Sequence, residues 1–396
     1  MKRLLTTLVI FVGLQVGLFA QTFTTLYSFA GGADGYIPSG QLILDAQGNL
    51  YGATVQGGIV GPGCGIDGCG TIFELSLVNG VWTKTTIYEF QGGAAGAYPK
   101  APLVFDSDGN LYGTTQVGGN KNSCGIVFEI SQGVETVLHT FKGKDGCEPA
   151  AGLAIDAAGN LYGTTVSGGL STTCGGSSCG TIFKLTATGG QWTFQVLAQF
   201  SDLFFLSDGP LVLDAAGNLY GTTMYGQGKK GYDGIGVAFK LYLVNGKWNH
   251  QFLHKFKYRY IKPYGGLAFD SAGNLYGVTT KGGGDAGSVY EQSPTANAWE
   301  CTFLEKFTAG DVPVSGITVD ADRNLYGVIE GGANGKGELF KMIRQGNGWA
   351  YSDLHDFDAG DPGAWGNVIL DGSGNIYGVT GGDGVTSFGS VYEFQQ

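Results

Sequence analysis

Short hydrophobic segments alternate with polar, glycine-containing turns along the chain, and no segment after the first twenty residues has helical periodicity. One turn, Asp-x-x-Gly-Asn, follows a hydrophobic segment and precedes Leu-Tyr-Gly, with small departures, in seven repeats. Its aspartates are Asp45, Asp106, Asp156, Asp214, Asp270, Asp320 and Asp371. After each turn come a Gly-Gly loop, a strand beginning Gly-x-hydrophobic-Phe/Tyr, and a strand ending in Leu-x-x-Phe. This order predicts four short strands per repeat, called a, b, c and d.

The spacing of the repeats predicts the architecture. Successive aspartates lie 61, 50, 58, 56, 50 and 51 residues apart, which suits a β-propeller blade and is too long for one coil of a β-helix. We therefore expect an all-β protein with a single domain, a seven-bladed β-propeller over residues 21–396. The predicted blades are 39–91, 100–142, 150–201, 208–257, 264–308, 314–358 and, taken together, 365–396 plus 22–30.

The two ends of the repeat region predict how the ring closes. The d strands of six repeats end at Phe90, Phe141, Phe200, Phe256, Phe307 and Phe357, but the last repeat stops at Gln396 just after its c strand. Residues 24–29 have the missing d pattern. An open sheet edge exposes unpaired backbone groups, and pairing the first strand with the last removes that edge. We predict that the N-terminal strand completes the last blade.

Residues 1–20 have the pattern of a secretory signal peptide. Lys2 and Arg3 precede a lightly interrupted apolar run over 4–18, and Ala20 precedes Gln21. A membrane span is the alternative, but the run is shorter than the roughly 20 apolar residues that a bilayer requires. Cleavage after Ala20 removes two cations and would take the formal net charge from −11 to −13. We expect an acidic protein secreted to the periplasm or the medium, without membrane attachment after cleavage.

Seven cysteines suit that oxidising destination. Two pairs each lie within one b-to-c loop, and a third joins a b-to-c loop to the following d-to-a loop, which emerges on the same face of a propeller. The expected disulfides are Cys64 with Cys69, Cys174 with Cys179, and Cys124 with Cys147. Metal binding by the Cys-x4-Cys pairs is the alternative, although no histidine lies near them. Cys301, in a d strand, is expected to be a buried thiol.

The repeated turn is similar to a fragment of a calcium-binding loop, most of all at 106–110. A hairpin explains it better, because glycine supplies the left-handed residue of a three-residue hairpin loop and the aspartate can accept backbone N–H bonds. Arg323 replaces this glycine in the sixth repeat, at a backbone cost of about 1 kcal/mol. The tyrosines of Leu-Tyr-Gly are expected to pack between neighbouring sheets. Five of the six tryptophans begin d strands and are expected to be structural.

No set of residues in the sequence predicts catalysis. His139, His254 and His355 share one position of strand d, where other blades place unrelated residues. No Ser/His/Asp set, His-Glu-x-x-His or nucleophile elbow is present. Residues 226–231 match Gly-x-Gly-x-x-Gly, but no helix follows to bind a phosphate at its N-terminus. We therefore predict no catalytic residue, no metal ligand and no cofactor.

The b-to-c and d-to-a loops vary most between repeats and gather around the channel mouth of a propeller, so ligand binding is expected there. The d-to-a loop within 255–264 replaces the usual Gly-Asp-Gly-Pro with cations and aromatics. The predicted ligand-binding residues are Lys229, Lys230, Tyr232, Tyr258, Arg259, Tyr260, Lys262 and Tyr264, with Trp365 from another d-to-a loop. Such a patch suits an anionic polymer. A solvated loop without a ligand is the alternative.

These patterns predict a monomeric binding module for an extracellular or cell-envelope polysaccharide, with no nucleic-acid partner. A protein-interaction scaffold is the second hypothesis. A metal-dependent hydrolase or lyase is the third, if acidic d-to-a loop residues converged on the channel. Those residues are Asp34, Asp145, Asp208, Asp311 and Asp361, and most adjoin Gly or Pro, so turn formation explains them more simply.

The combined pattern resembles the bacterial GloVer tandem-repeat family over residues 21–396. The matching motifs are Gly-Asn-Leu-Tyr-Gly-Thr-Thr, Gly-Gly, Cys-Gly-Thr-Ile-Phe-Lys-Leu, Leu-x-x-Phe and Asp-Gly-x-x-Pro. The resemblance implies a secreted or surface repeat protein of unassigned biochemical role. Some members carry a C-terminal anchoring signal, whereas this chain ends on a blade strand, so we expect release. The pattern is also similar to NHL-type propellers, which include both binding proteins and enzymes.

Overall fold

The computed structural model describes residues 21–170, 179–199, 205–206, 209–225, 236–256, 261–282, 286–296, 298–346, 348–358, 363–382 and 387–396. Within these ranges the chain forms seven antiparallel sheets of four or five strands. Each sheet is one blade; in six of them the strands follow one another along the sequence, whereas the seventh combines the last three strands with the first strand of the chain. The predicted all-β, seven-bladed propeller is confirmed.

Strand β1 (Thr22–Ser28) comes first in the chain and belongs to the last blade. The first three blades contain β2 (Tyr36–Leu44), β3 (Leu50–Gln56), β4 (Thr71–Val78), β5 (Val81–Glu89), β6 (Val104–Phe105), β7 (Leu111–Thr115), β8 (Ile126–Ser131), β9 (Val134–Thr140), β10 (Ala154–Ile155), β11 (Leu161–Thr165), β12 (Thr181–Thr188) and β13 (Gln191–Gln199). The described loops of this part include three short 3-10 helices, Gly32–Asp34, Gly65–Asp67 and Gly93–Ala95.

The next three blades contain β14 (Phe205–Leu206), β15 (Val212–Leu213), β16 (Leu219–Tyr225), β17 (Val237–Val244), β18 (Lys247–Lys255), β19 (Pro263–Phe269), β20 (Leu275–Gly282), β21 (Ala286–Pro294), β22 (Trp299–Lys306), β23 (Val312–Pro313), β24 (Thr318–Val319), β25 (Leu325–Glu330), β26 (Glu338–Gln345) and β27 (Gly348–Asp356). The last blade adds β28 (Ala364–Leu370), β29 (Ile376–Thr380) and β30 (Ser390–Gln395) to β1. The a strands of neighbouring blades contact one another, as β28 contacts β2 and β24, so strand a forms the inner edge of each blade.

The N-terminal strand closes the ring as predicted. Strand β1 pairs antiparallel with β30 from Thr22 opposite Gln395 to Ser28 opposite Ser390. Phe23 on β1 stacks on the ring of His355 in the sixth blade, with centroids 4.0 Å apart. The first strand therefore both completes the last sheet and packs against the neighbouring blade.

Aromatic pairs join neighbouring blades at six junctions within the described residues. The phenylalanine that ends strand d packs against an aromatic residue of the next strand c, with ring centroids 5.1 to 5.7 Å apart. The described pairs are Phe29–Phe73, Phe90–Phe128, Phe141–Phe183, Phe256–Tyr290, Phe307–Phe340 and Phe357–Tyr392. Such pairs stabilise by roughly 0.5–1.5 kcal/mol beyond the burial of their area. The core therefore lies between the blades, where clusters of buried residues mix two sheets.

Each repeat aspartate accepts hydrogen bonds that fasten the turn between strands a and b. Asp106 Oδ1 accepts from the backbone N–H groups of Asp108 and Asn110, both at 2.9 Å. Its Oδ2 accepts from the Asn110 amide at 2.8 Å and from the Tyr112 hydroxyl at 3.0 Å. The other six aspartates bond their own Asn and Tyr in the same way. The predicted hairpin is confirmed, and Arg323 takes its left-handed position with φ 65°. The hydrogen bond from the tyrosine hydroxyl to the aspartate was not predicted from the sequence.

These hydrogen bonds lower the pKa of several turn aspartates. Burial raises the pKa of these carboxyls, but hydrogen bonds from the Asn amide, the backbone and the Tyr hydroxyl outweigh it. The pKa therefore lies below the ordinary 3.8 at Asp106, Asp156, Asp214 and Asp270. A group whose folded pKa is depressed stabilises the fold above its ordinary pKa and loses that contribution as pH falls through the folded pKa. The turns thus stabilise the protein at neutral pH and lose this contribution in acid.

The substitution Asp106→Asn tests the turn network. It replaces an acceptor of four hydrogen bonds with an amide that places a donor among donors, so we expect a loss of about 1–3 kcal/mol in unfolding free energy at pH 7. That loss should shrink as the pH falls from about 4 through the depressed pKa of the folded Asp106 carboxyl, where the wild-type carboxylate becomes protonated. Urea unfolding at several pH values measures both. Asp108→Asn, in the same turn but exposed, is the matched control. Equal losses in the two variants would contradict the proposed network.

Removal of the closing strand tests the ring. A chain that begins at Phe29 leaves the edge of β30 unpaired and removes Phe23 from its aromatic neighbours. We expect a larger loss of stability than a single core truncation gives, more than about 3 kcal/mol, with self-association through the exposed edge. Urea unfolding and light scattering, compared with a chain that begins at Gln21, measure this. A truncated chain with unchanged stability and mass would show that β1 is dispensable.

Candidate functional site: a cavity at the centre of the loop face

The b-to-c and d-to-a loops are tied together on one face, called the loop face. In the first three blades, the second glycine of the Gly-Gly loop donates its N–H to a carbonyl oxygen of the preceding d-to-a loop. These bonds run from Gly58 to Gly32 at 2.9 Å, from Gly119 to Gly93 at 2.7 Å and from Gly169 to Gly143 at 2.8 Å. The repeated glycines therefore hold neighbouring loops against each other.

Disulfides reinforce the same loops. Cys124 and Cys147 join a b-to-c loop to the following d-to-a loop, and Cys64 and Cys69 close a short segment within one b-to-c loop. Cys179 is also disulfide-bonded, while Cys174 lies outside the described residues. Cys301 is a free, half-buried thiol, and burial raises its pKa to about 12. Such a thiol is a weak nucleophile at neutral pH.

The inner strands line a cavity of about 190 Å³ on the axis, with wall residues from all seven blades. Most of these residues lie four to six places before a repeat aspartate, in the part of strand a nearest the loop face. The described residues six places before the aspartates are Ser39, Lys100, Ala150, Tyr264, Val314 and Trp365; the equivalent Asp208 lies outside the described residues. One position of the repeat therefore supplies much of the cavity wall.

Glycines let the inner strands approach closely at this level. A Cβ atom on Gly366 would lie 2.1 Å from the carbonyl oxygen of Gly40 in the next blade. A Cβ on Gly209 would lie 2.0 Å from the carbonyl carbon of Gly265. Since neither contact is sterically possible, any larger residue at these two positions would push the inner strands apart.

Two aromatic side chains share the cavity. Trp365 on β28 is 49% exposed, and Tyr264 on β19 is half-buried. Their positions in the repeat are equivalent. Each is the second residue of its inner strand, and Trp365 pairs with Val379 in the same way as Tyr264 pairs with Val278. Aromatic rings with a polar edge provide flat apolar surfaces that remain accessible to solvent.

An amide pair adds directed polar groups to the wall. Asn367 Oδ1 accepts a hydrogen bond from the backbone N–H of Gly316, which fixes the orientation of this amide. Its Nδ2 therefore faces Gln41, and donates to Gln41 Oε1 at 3.4 Å. The Gln41 Nε2 group is left as a donor without a protein acceptor among the described residues. The wall thus offers a hydrogen-bond donor whose orientation is set by the backbone of the sixth blade.

Lys100 contributes a charge to the wall. Its side chain is exposed, and it is the one charged group among the described residues that line the cavity. The described part of the chain provides it with no ion pair. The cavity therefore combines two rings, amide groups and one cation.

The structure brings together two of the nine predicted ligand-binding residues, Tyr264 and Trp365, in this cavity. Lys262, also described, is half-buried beside the wall, and its carbonyl oxygen accepts from Thr280 at 2.9 Å. The remaining six lie outside the described residues: Lys229, Lys230, Tyr232, Tyr258, Arg259 and Tyr260. Sequence reasoning missed Lys100, Gln41 and Asn367. Counting back six places from each repeat aspartate would have aligned Lys100 with Trp365 and Tyr264, and counting back four places would have aligned Gln41 with Asn367.

The described acidic residues of the d-to-a loops make hydrogen bonds and ion pairs with neighbouring residues of the protein. Asp34 accepts from the Tyr27 hydroxyl at 2.8 Å and from Lys84 Nζ at 2.9 Å. Asp145 lies 3.0 Å from His139, and Asp311 accepts from the Thr308 hydroxyl and the Gly332 N–H. None of these three aspartates lines the cavity, while Asp208 and Asp361 lie outside the described residues. The three described aspartates therefore act in local structure.

Another group of carboxylates lies on the sixth blade, away from the cavity. Oxygen atoms of Glu338, Asp353 and Asp356 lie within 4.8 Å of one another. Burial raises the pKa of Glu338, which also accepts a hydrogen bond from the Tyr351 hydroxyl. Burial and the charge of Asp356 raise the pKa of Asp353. These three carboxyl groups lie together on β26 and β27, where burial disfavours the charged forms of Glu338 and Asp353.

The repeated sequence unit identifies the family of this protein. The family model described as the Gloeobacter/Verrucomicrobia repeat matches residues 14–176 and 207–396. The chain belongs to this family. The resemblance inferred from the repeated motifs is thereby confirmed, whereas none of the curated proteins matches the chain.

Solved structures similar to this Gloeobacter/Verrucomicrobia repeat protein support the fold. One, from Bacteroides uniformis, is described as a "putative 6-phosphogluconolactonase"; it is 15% identical, with a TM-score of 0.51 over 79% of this chain and 85% of that chain. A protein from Lactobacillus plantarum is also 15% identical, with a TM-score of 0.52 over 82% of this chain and 95% of that chain. At this identity the likeness concerns the fold alone. Among the described residues of the repeat protein, no helix is both long and apolar enough to cross a membrane.

Proposed function

We propose that this repeat protein is a secreted binding module that holds a sugar unit of an extracellular or cell-envelope polysaccharide at the centre of its loop face. The observation that carries the proposal is the shared cavity of Trp365, Tyr264 and the Gln41 amide. Sugar rings present apolar C–H faces that pack on aromatic rings, and hydroxyl groups that bond with amides. The cavity wall therefore offers aromatic rings for the apolar face of a sugar and an amide for its hydroxyl groups.

The composition of the wall favours binding over hydrolysis. Glycosidases use a pair of carboxyl groups across the scissile bond. The described side chains of the wall include no carboxylate, and the acidic groups of Asp34, Asp145 and Asp311 bond within their own loops. Rings, amides and an ammonium can orient a sugar but do not supply that pair of proton-transfer groups.

Secretion is part of the same proposal. Residues 1–20 have the composition of a signal peptide. The disulfides Cys64–Cys69 and Cys124–Cys147 suit an oxidising compartment, because cytosolic thiols are kept reduced. A polysaccharide ligand outside the cytoplasm would be accessible to a protein in that location.

A protein-interaction scaffold is a second candidate, favoured by one loop. The b-to-c loop of the first blade exposes Ile66 at 90%, Val60 at 61% and Ile59 at 39%. The Cys64–Cys69 disulfide holds part of this loop in shape. Exposed apolar side chains on an ordered loop are typical of protein contacts.

A glycan-binding screen of the secreted protein tests the proposal. We expect at least one extracellular polysaccharide to bind, and we expect Trp365→Ala to weaken that binding on the order of tenfold or more, because it removes an aromatic surface at the centre of the site. Isothermal titration calorimetry measures the affinity. Ile66→Ala, on the same face but outside the cavity, is the matched control for an apolar truncation.

Two results would decide against glycan binding at this site. If no glycan in the panel binds, the protein-interaction scaffold becomes the better candidate. Unchanged affinity of Trp365→Ala would place the ligand elsewhere.

A third variant that combines Tyr258→Ala, Arg259→Ala and Tyr260→Ala tests whether the basic and aromatic loop contributes to glycan binding.

A further inference from the structure

We propose that the cavity takes the terminal sugar of an acidic polysaccharide, a hexuronate whose carboxylate pairs with Lys100. This inference rests on the proposed glycan binding and names the ligand class of the same site. It follows from the charge, the donors and the size of the cavity.

Lys100 is available to a ligand. Two other lysines pair with carboxylates of the protein: Lys84 lies 2.9 Å from Asp34 and Lys240 lies 3.9 Å from Asp214. The Lys100 side chain is exposed, has no ion pair in the described chain and belongs to a residue that lines the cavity. The attraction between opposite charges is stronger beside a protein surface than in bulk water. The cavity therefore favours one negative charge on its ligand.

The overall charge of the protein favours a chain end over an extended polyanion. The formal net charge is −11, so a long anionic chain lying across the surface would meet repulsion over much of its length. A terminal unit can place its single carboxylate beside Lys100 with little of the chain near the acidic surface. Lys100 is the one charged residue of the described wall, and one ammonium balances one carboxylate, which points to a uronate rather than a more highly charged sugar.

The volume of the cavity also fits a single unit. At about 190 Å³ it is smaller than the roughly 300–1,000 Å³ of pockets that hold drug-sized ligands. The wall residues of strand a end at the level of Gln41 and Asn367, before the repeat aspartates. One sugar ring can therefore lie against Trp365 or Tyr264 while its hydroxyl groups accept from Gln41 Nε2. The rest of the polysaccharide would extend from the loop face into solvent.

Titration calorimetry with matched oligosaccharides tests this assignment. The probes are trigalacturonate, free galacturonate, galactotriose as the neutral analogue, and galactose 6-sulfate. We expect the secreted protein to bind trigalacturonate on the order of tenfold more tightly than galactotriose, and free galacturonate to compete with it. Lys100→Gln should remove this difference.

The control variant is Lys144→Gln. It makes the same change in net charge on an exposed lysine of the neighbouring d-to-a loop, and it does not line the cavity. We expect it to bind like the wild-type protein. Equal losses in both lysine variants would indicate a general charge effect and overturn the assignment of Lys100. Tighter binding of galactose 6-sulfate than of galacturonate would overturn the carboxylate assignment.

The outcomes separate this inference from the proposed function. If galactotriose and trigalacturonate bind equally and Trp365→Ala weakens both, the glycan site stands and the acidic specificity is wrong. If no saccharide binds, both proposals fail. Because Lys100 is exposed, the variant should retain the wild-type unfolding midpoint, so a loss of binding would report on the ligand contact.

Discussion

The hydrogen bonds that each repeat aspartate accepts are the constraint on which the rest of the structure depends. They join the turn between strands a and b to the buried tyrosine of strand b, as Asp106 is joined to Tyr112. This fixes the register of strand a, since a shift by one residue would reverse which side chains face the channel. The same residues of every repeat therefore reach the axis. The cavity is a consequence of this register, repeated around a closed ring.

A regular scaffold of this kind separates stability from function. The aspartate turns, the aromatic pairs between blades and the glycines of the inner strands recur with little change, so the blades pack alike. The position six places before the aspartate is free to vary, and it holds a lysine, a tyrosine and a tryptophan at Lys100, Tyr264 and Trp365. Evolution of a ligand site in such a ring requires changes at a few equivalent positions rather than a new fold.

The sequence predicted the fold well because its information is local and repeated. The aspartate spacing predicted the seven blades, and the unmatched last repeat predicted the pairing of β1 with β30. Tyr264 and Trp365 were predicted from the unusual content of their loops, whereas Lys100, Gln41 and Asn367 were missed because no local motif marks them and they come together only in the closed ring. Gln41 and Asn367 meet only because the first and last blades are neighbours in the closed ring. The residues within 226–235 and 257–260 remain predictions, since they lie outside the described residues.

A crystal structure of the protein with trigalacturonate tests the binding site most directly. We expect one terminal sugar in the axial cavity, packed on Trp365 or Tyr264, with its carboxylate about 2.7–2.9 Å from Lys100 Nζ. The remaining sugars should extend from the loop face. A sugar bound instead at the outer strands, or only at the loops within 226–235 and 257–260, would contradict the claim that the inner-strand register creates the binding site.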